Sequence, residues 1–238
     1  DGKLLSAMCT PDLKGTQGSF SQFTTRIEEA TYENGSRYPL RPITNGYAGE
    51  IEGPEDTFVE QGKPLRIPFQ LLRAKDGYHL HVQQHRIPLQ PGQYTDWLQL
   101  TFRTAVGAEA VGIARFLLTE TEPDCSLYLS PINIDPAAPA LPISHPSCYA
   151  VYLANLLGPY ATAGMAEDTW ALNEGVIDED AFLSQAWSIY EEREAMFMNA
   201  LQTTPRGVVA CVFDTSDRVQ HMYYARYQAS DHHTKVIE

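Results

Sequence analysis

Basic residues are scarce in this chain: 17 Lys and Arg stand against 30 Asp and Glu, for a net charge of −13. Such a field repels phosphate backbones and anionic lipid surfaces, so neither nucleic acid nor a membrane is expected as a partner. A small anionic substrate stays admissible, because a bound metal reverses the local field. Cysteine is scarcer still. Cys9, Cys125, Cys148 and Cys211 contain no C-x-x-C pair, which argues against a disulfide scaffold or a zinc ribbon. All four are expected as buried free thiols, pointing to a reducing, cytoplasmic compartment. No run approaches the roughly 20 apolar residues of a membrane span. Internal repeats and low-complexity tracts are missing too. The chain starts at Asp1 without Met or signal peptide, and both ends look cut, so a central piece of a longer protein is expected.

What is present is a globular composition, 238 residues with 43% apolar content, enough for one large domain or two small ones. Residues 20–130 read as β-rich. Asn34-Gly35 between "ATYE" and "SRYPL", and Asp76-Gly77 between "PLRIPFQLLR" and "YHLHVQQHRIPL", are hairpin signals. "WLQLTF", "VGIARFLL" and "SLYLSPI" read as strands. The proline- and serine-rich stretch 135–147 reads as a linker or crossing segment. Helices follow. One has Ser147 as N-cap and Gly158 as stop. A longer one spans Asp178 to Gln202, with Phe182, Ala186, Ile189, Tyr190, Phe197 and Leu201 on one face. Arg193 lies on that stripe and is read as snorkelling at its edge. "GVVACVF", 207–213, then reads as a parallel strand buried on both faces.

The chemistry-bearing residues concentrate just beyond that run. In open α/β sheets, sites gather past the carboxyl ends of strands, and Asp214, Asp217 and His221 stand there. If the chain winds into a helix after Ser216, Asp217 and His221, four apart, share a face. A carboxylate oxygen and an imidazole nitrogen can then meet at one divalent metal. The plainer reading makes Asp214 or Asp217 a helix cap and His221 a surface or core histidine. Two further stretches are weaker. In "YHLHVQQH", read as one strand, His79, His81 and His85 share a side. Only the first two, about 7 Å apart, could share a metal. "CTPDLKGTQGSFSQFTT" has the composition of a phosphate loop, with Lys14 nearby, but not the G-x-x-x-x-G-K-[ST] pattern. Its Ser19, Ser21, Thr24 and Thr25 have no histidine close in sequence, so no hydrolase triad is assigned.

"VFDTSDRVQHMYY" resembles the metal-binding segment of the alkaline phosphatase superfamily. The resemblance is nearest to type I phosphodiesterases and nucleotide pyrophosphatases, and to the prokaryotic group described as phosphohydrolases or phosphomutases. "TPDLKGTQGSF", "LYLSPINIDP", "ISHPSCYA", "YATAGMAEDTWAL" and "FLSQAWSIYEEREAMF" fit that group in order, so the likeness runs from about Pro11 to Tyr227. It implies a two-metal phosphoryl-transfer site, with zinc, or manganese in its place, clamping the attacking and leaving oxygens. By resemblance, Asp217 and His221 are ligands of one metal, and Asp214 braces the loop. The family's nucleophile and first metal aspartate have no match in residues 1–10. "SDHHT", 230–234, lacks the glycine and preceding strand of the downstream ligand pair and is read as loop.

The fold class expected is therefore α/β, α+β overall. Residues 1–24 form the edge of an alkaline-phosphatase-like core, 25–134 a β-rich inserted cap, and 135–238 helical core with the metal-ligand strand 207–213. The parent is expected to be a metal-dependent phosphohydrolase acting on a small phosphate ester. Alone, without the remainder of the parent chain and its nucleophile, this piece is expected to be inactive. The alternative is a non-catalytic β-rich binding module, whose 13 tyrosines would suit protein or carbohydrate contacts.

Overall fold

A computed structural model describes residues 2–6, 9–26, 31–59 and 62–229, with side chains as far as 224. The strands are β1 (Leu4–Leu5), β2 (Phe20–Thr24), β3 (Gly35–Pro39), β4 (Arg41–Ile43), β5 (Gly46–Asp56), β6 (Lys63–Ala74) and β7 (Gly77–Val82). They continue as β8 (His85–Leu89), β9 (Leu98–Arg103), β10 (Glu109–Ala114), β11 (Phe116–Glu120), β12 (Ser126–Leu129), β13 (Asn133–Ile134) and β14 (Ser144–His145). The helices are α1 (Cys148–Leu157), α2 (Thr169–Asn173), α3 (Glu179–Thr203) and α4 (Thr215–Ala229). Mixed α and β content with strands dominant agrees with the broad α+β class.

A four-stranded sheet, ordered β11-β12-β2-β3, stands at the centre. Period-two alternation sends its side chains to two different cores. Phe23, Phe116, Leu118, Leu127 and Leu129 meet the five-stranded meander β4-β5-β6-β7-β8 through Ile51, Phe69, Leu71 and Leu80. Phe20, Leu117 and Tyr128 point the other way, onto Ala171 and Leu172 of α2 and Ala181 and Phe182 of α3. This double cover explains why every residue of β12 is buried. A third sheet, β13-β10-β9, contributes Leu98 and Leu100 to the first core. β1 and β14 make a short ladder that ties residues 4–5 to the start of α1.

The hairpin at Asp76-Gly77 forms. Ala74 pairs with Gly77, whose φ of +122° is a value that glycine adopts freely. Asn34-Gly35 does something else. β3 starts at Gly35 and runs parallel to β2, with Phe20 opposite Gly35. A Cβ there would sit 2.3 Å from the Phe20 ring, so this glycine serves close packing and not a turn. β2, from the segment before residue 25, is hydrogen-bonded on one side to β12 and on the other to β3.

Two helices follow the expected punctuation. The Asp178 carboxylate accepts the Ala181 N–H at the start of α3, and the Gly158 N–H closes α1 on the Ala154 carbonyl. Ser147 makes no cap bond; the Ser144 hydroxyl accepts the Ala150 N–H instead.

The expected strand 207–213 is not formed. The stretch is irregular, and Val208 is 92% exposed. A strand buried on both faces needs hydrogen-bonded neighbours and two covering layers, and the described residues supply neither. Burial on both faces between two bonded neighbours belongs instead to β12, which lies between β11 and β2. The thiols also differ from expectation: Cys125 is buried, but Cys9, Cys148 and Cys211 are exposed, Cys211 because its segment lies open. No helix among the described residues is long and apolar enough to cross a membrane.

Candidate functional site

α4 begins where the irregular stretch ends. The Asp214 carbonyl accepts the first helical N–H, from Arg218, at 3.0 Å. Val219, Met222 and Tyr223, at helical spacing, pack against the core formed with α2 and α3. The Tyr223 hydroxyl donates to the Glu179 carbonyl at 3.4 Å. With that face turned inward, Asp217 and His221 face solvent, 59% and 74% exposed at their side chains. Asp217 Oδ1 and His221 Nε2 lie 3.4 Å apart. His221 is thus no core residue. Asp217 sits inside the first turn, where a negative charge suits the helix dipole.

The contact is that of an ordinary i, i+4 ion pair between exposed side chains, and its length is also one that two ligands of a single metal would show. Two ligands each about 2.1 Å from a tetrahedral zinc lie about 3.4 Å from one another. Two ligands do not complete a site, and the described residues hold no cluster of three or more His, Cys, Asp or Glu suited to a metal. "SDHHT" lies outside the described residues.

Asp214 faces away from this pair. Its carboxylate forms an ion pair with Arg193 Nη1. Arg193 also approaches Glu167 Oε1, at 3.5 Å, and the Thr215 hydroxyl donates to that same oxygen at 2.6 Å. Arg193 is therefore not a snorkelling side chain. It is a half-buried cation bridging two carboxylates, and Asp214 braces the loop as the sequence suggested. Phe213 adds an apolar anchor, 5.5 Å from the Tyr190 ring and 5.8 Å from Phe197. The loop is pinned at 213–215. Before it, residues 204–212 roof a cavity of about 710 Å³ whose other walls include Leu4, Leu5 and Met196.

The other candidates are not brought together. The chain turns back at Gln83–Gln84, so His79 and His81 lie on β7 while His85 opens β8 opposite Val82. His79 pairs with the Asp76 carboxylate at 3.0 Å. In the Gly- and Thr-rich loop, the buried Asp12 carboxylate takes the positions a phosphate would need. It accepts the Thr16 N–H at 2.8 Å, the Ser19 N–H at 3.0 Å and the Thr16 hydroxyl.

A second buried polar group escaped the sequence reading. Asp168 caps α2 by accepting the Ala171 N–H at 2.9 Å, and takes the Tyr128 O–H at 2.6 Å. The only local signal is its place before a short apolar run. Burial pushes its pKa up from 3.8 to about 6, against the hydrogen bonds from Tyr128, Ala171 and Trp170 that lower it. A carboxyl group with a raised folded-state pKa contributes stability that is fully present below the unfolded value. That contribution is lost as pH rises through the folded one. Asp168→Asn removes this dependence. From about pH 4 to pH 6, the stability of the native chain relative to the variant is expected to fall by about 2 kcal/mol. Urea unfolding at pH steps across that window measures it, and parallel curves would contradict it.

No protein-family model, curated protein or solved structure matches this chain.

Proposed function

We propose that this chain is part of a metal-dependent phosphohydrolase of the phosphodiesterase and nucleotide pyrophosphatase type, in the alkaline phosphatase superfamily. Asp217 and His221 form one arm of its metal site. The observation that carries the reading is their geometry: a carboxylate oxygen and an imidazole nitrogen 3.4 Å apart, solvent-facing, on a helix whose opposite face is packed. Zinc, or manganese, is the metal such a donor pair suits. A two-metal centre would supply charge neutralisation to the attacking and leaving oxygens of a phosphate ester. The remaining ligands and the nucleophile come from the remainder of the parent chain, so the piece alone is inactive. The exposed valines before Phe213 support this. Val208 and Val212 are open to solvent, apolar surface that a further part of the parent would cover. The β-rich layers of residues 25–134 form the cap that selects the leaving group.

The test is hydrolysis of phosphate monoesters and diesters by the intact parent protein with zinc or manganese. Asp217→Ala and His221→Ala are each expected to lower kcat/KM by at least about 100-fold, since even outer-shell partners of metals are worth about 10–100-fold. Unchanged activity in both variants overturns the reading. An inactive parent leaves the β-rich binding module in its place.

A further inference from the structure

We propose that the cavity under residues 204–212 binds an elongated amphipathic anion, its apolar chain lying along α3 and its oxyanion head between Lys3 and Arg206. This site is separate from Asp217 and His221 and needs no metal. One wall is a stripe of α3 at helical spacing: Ile189, Arg193, Met196, Phe197, Ala200 and Thr203. At 1.5 Å per residue, Ile189 to Thr203 extends over about 21 Å, so the space is a long trough and not a round pocket. Leu5 and Leu153 line it as well, and its volume of about 710 Å³ is that of a small-molecule site, about 300–1,000 Å³. The roof does not plug it, since Val208 is 92% exposed.

The two ends differ. Ile189, Leu153, Thr162 and Asp214 are buried, whereas Lys3 and Arg206 are exposed, so the trough is deep at one end and open at the other. Neither Lys3 nor Arg206 has an ion-pair partner among the described residues. Lys3 Nζ is held over the rings of Tyr149 and Tyr152, 5.5 and 5.9 Å from their centroids. On a chain of net charge −13, two unpaired cations at the mouth of an apolar trough reverse the local sign and suit an anionic head. The deep end suits a different group. Arg193 uses only Nη1 in its ion pairs with Glu167 and Asp214, which leaves Nε and Nη2 as donors toward the trough. Two carboxylates already outweigh its charge, so these donors fit an uncharged oxygen at the far tip of the chain. Head, chain and tip each have their counterpart.

The test is a fluorescence titration of the intact parent protein with dansyl-labelled undecanoate, which has a carboxylate head, an apolar chain and an uncharged polar tip. Saturable binding with blue-shifted emission is expected, with displacement by dodecanoate or by dodecyl phosphate. Lys3→Gln combined with Arg206→Gln is expected to weaken the probe about 3–20-fold, the worth of two exposed charge pairs, and to leave the methyl ester of the probe unaffected. Ala200→Trp, which fills the trough, is expected to abolish binding, with the urea midpoint reporting that the variant is folded. No saturable binding, or binding that a folded Ala200→Trp variant retains, overturns the proposal. So does an equal loss for acid and ester in the glutamine variant, because the cations then recognise no anion. Binding to anionic phospholipid vesicles without binding of the monomeric probe would assign Lys3 and Arg206 to a membrane surface and overturn it too.

Discussion

Arg193→Met is expected to destabilise the protein by about 3–5 kcal/mol, the cost of breaking a buried ion pair from one side. The arginine serves two carboxylates. Asp214 is buried and forms an ion pair with it, and Glu167 is fully enclosed. Methionine fills much of the same volume, so cavity formation contributes little. What remains is two negative charges without their cation, at a place where water is largely excluded. The effect should therefore shrink when the charge is removed with it. Arg193→Met combined with Asp214→Asn is expected to recover at least about 1 kcal/mol of the loss, the coupling typical of residues in one ion-pair network. Urea unfolding of the single and double variants at pH 7 reads both numbers. A single-variant loss below about 1 kcal/mol, the range of exposed pairs, would mean that the cluster is solvated and weak.

The second large effect belongs to the central sheet. Phe23→Ala is expected to cost about 3–5 kcal/mol, the usual penalty for emptying a buried aromatic site. Phe23 is completely buried and packs edge-on against Phe69 of β6, with ring centroids 4.8 Å apart. Its other face stacks on Tyr38 of β3 at 5.4 Å. It is thus a hinge pin between the four-stranded sheet and the meander, and the surrounding strands cannot close the hole without losing register. Domain stabilities run to about 5–15 kcal/mol, so this one truncation removes a large share of the margin. Chemical denaturation at 25 °C measures it; a cost under about 1 kcal/mol would show that the two sheets are held together elsewhere.

Local pattern carried part of this fold. Alternating apolar residues and the Asp76-Gly77 turn marked the meander, because a hairpin is decided by residues a few positions apart. Asp178 and Gly158 marked helix ends for the same reason. The central sheet was out of reach. β2 pairs with β12 across about a hundred residues, and nothing local distinguishes a Gly35 that opens a parallel strand from one that turns a hairpin. "GVVACVF" misled by composition alone. An apolar run states that a segment needs cover, not that the described chain provides it.

The candidate site divides along the same line. Asp217 and His221 could be paired from sequence because the i, i+4 relation is a property of any helix. Asp214 could be set aside as a brace on resemblance, and its ion pair with Arg193 agrees. Glu167 and Thr215, separated by 48 positions, carried no sequence signal. Arg193 looked like the edge of an apolar stripe because its two carboxylate partners lie on other segments.

The most direct test of the proposed metal arm is whether the full-length protein binds zinc at all, read by X-ray absorption with the metal content determined alongside. Nitrogen and oxygen ligands at about 2.0–2.2 Å are expected, with one imidazole contribution lost in His221→Ala and the zinc content lowered. A variant with the same zinc content and an unchanged spectrum would contradict it, leaving Asp217 and His221 as surface residues of a helix that binds no metal.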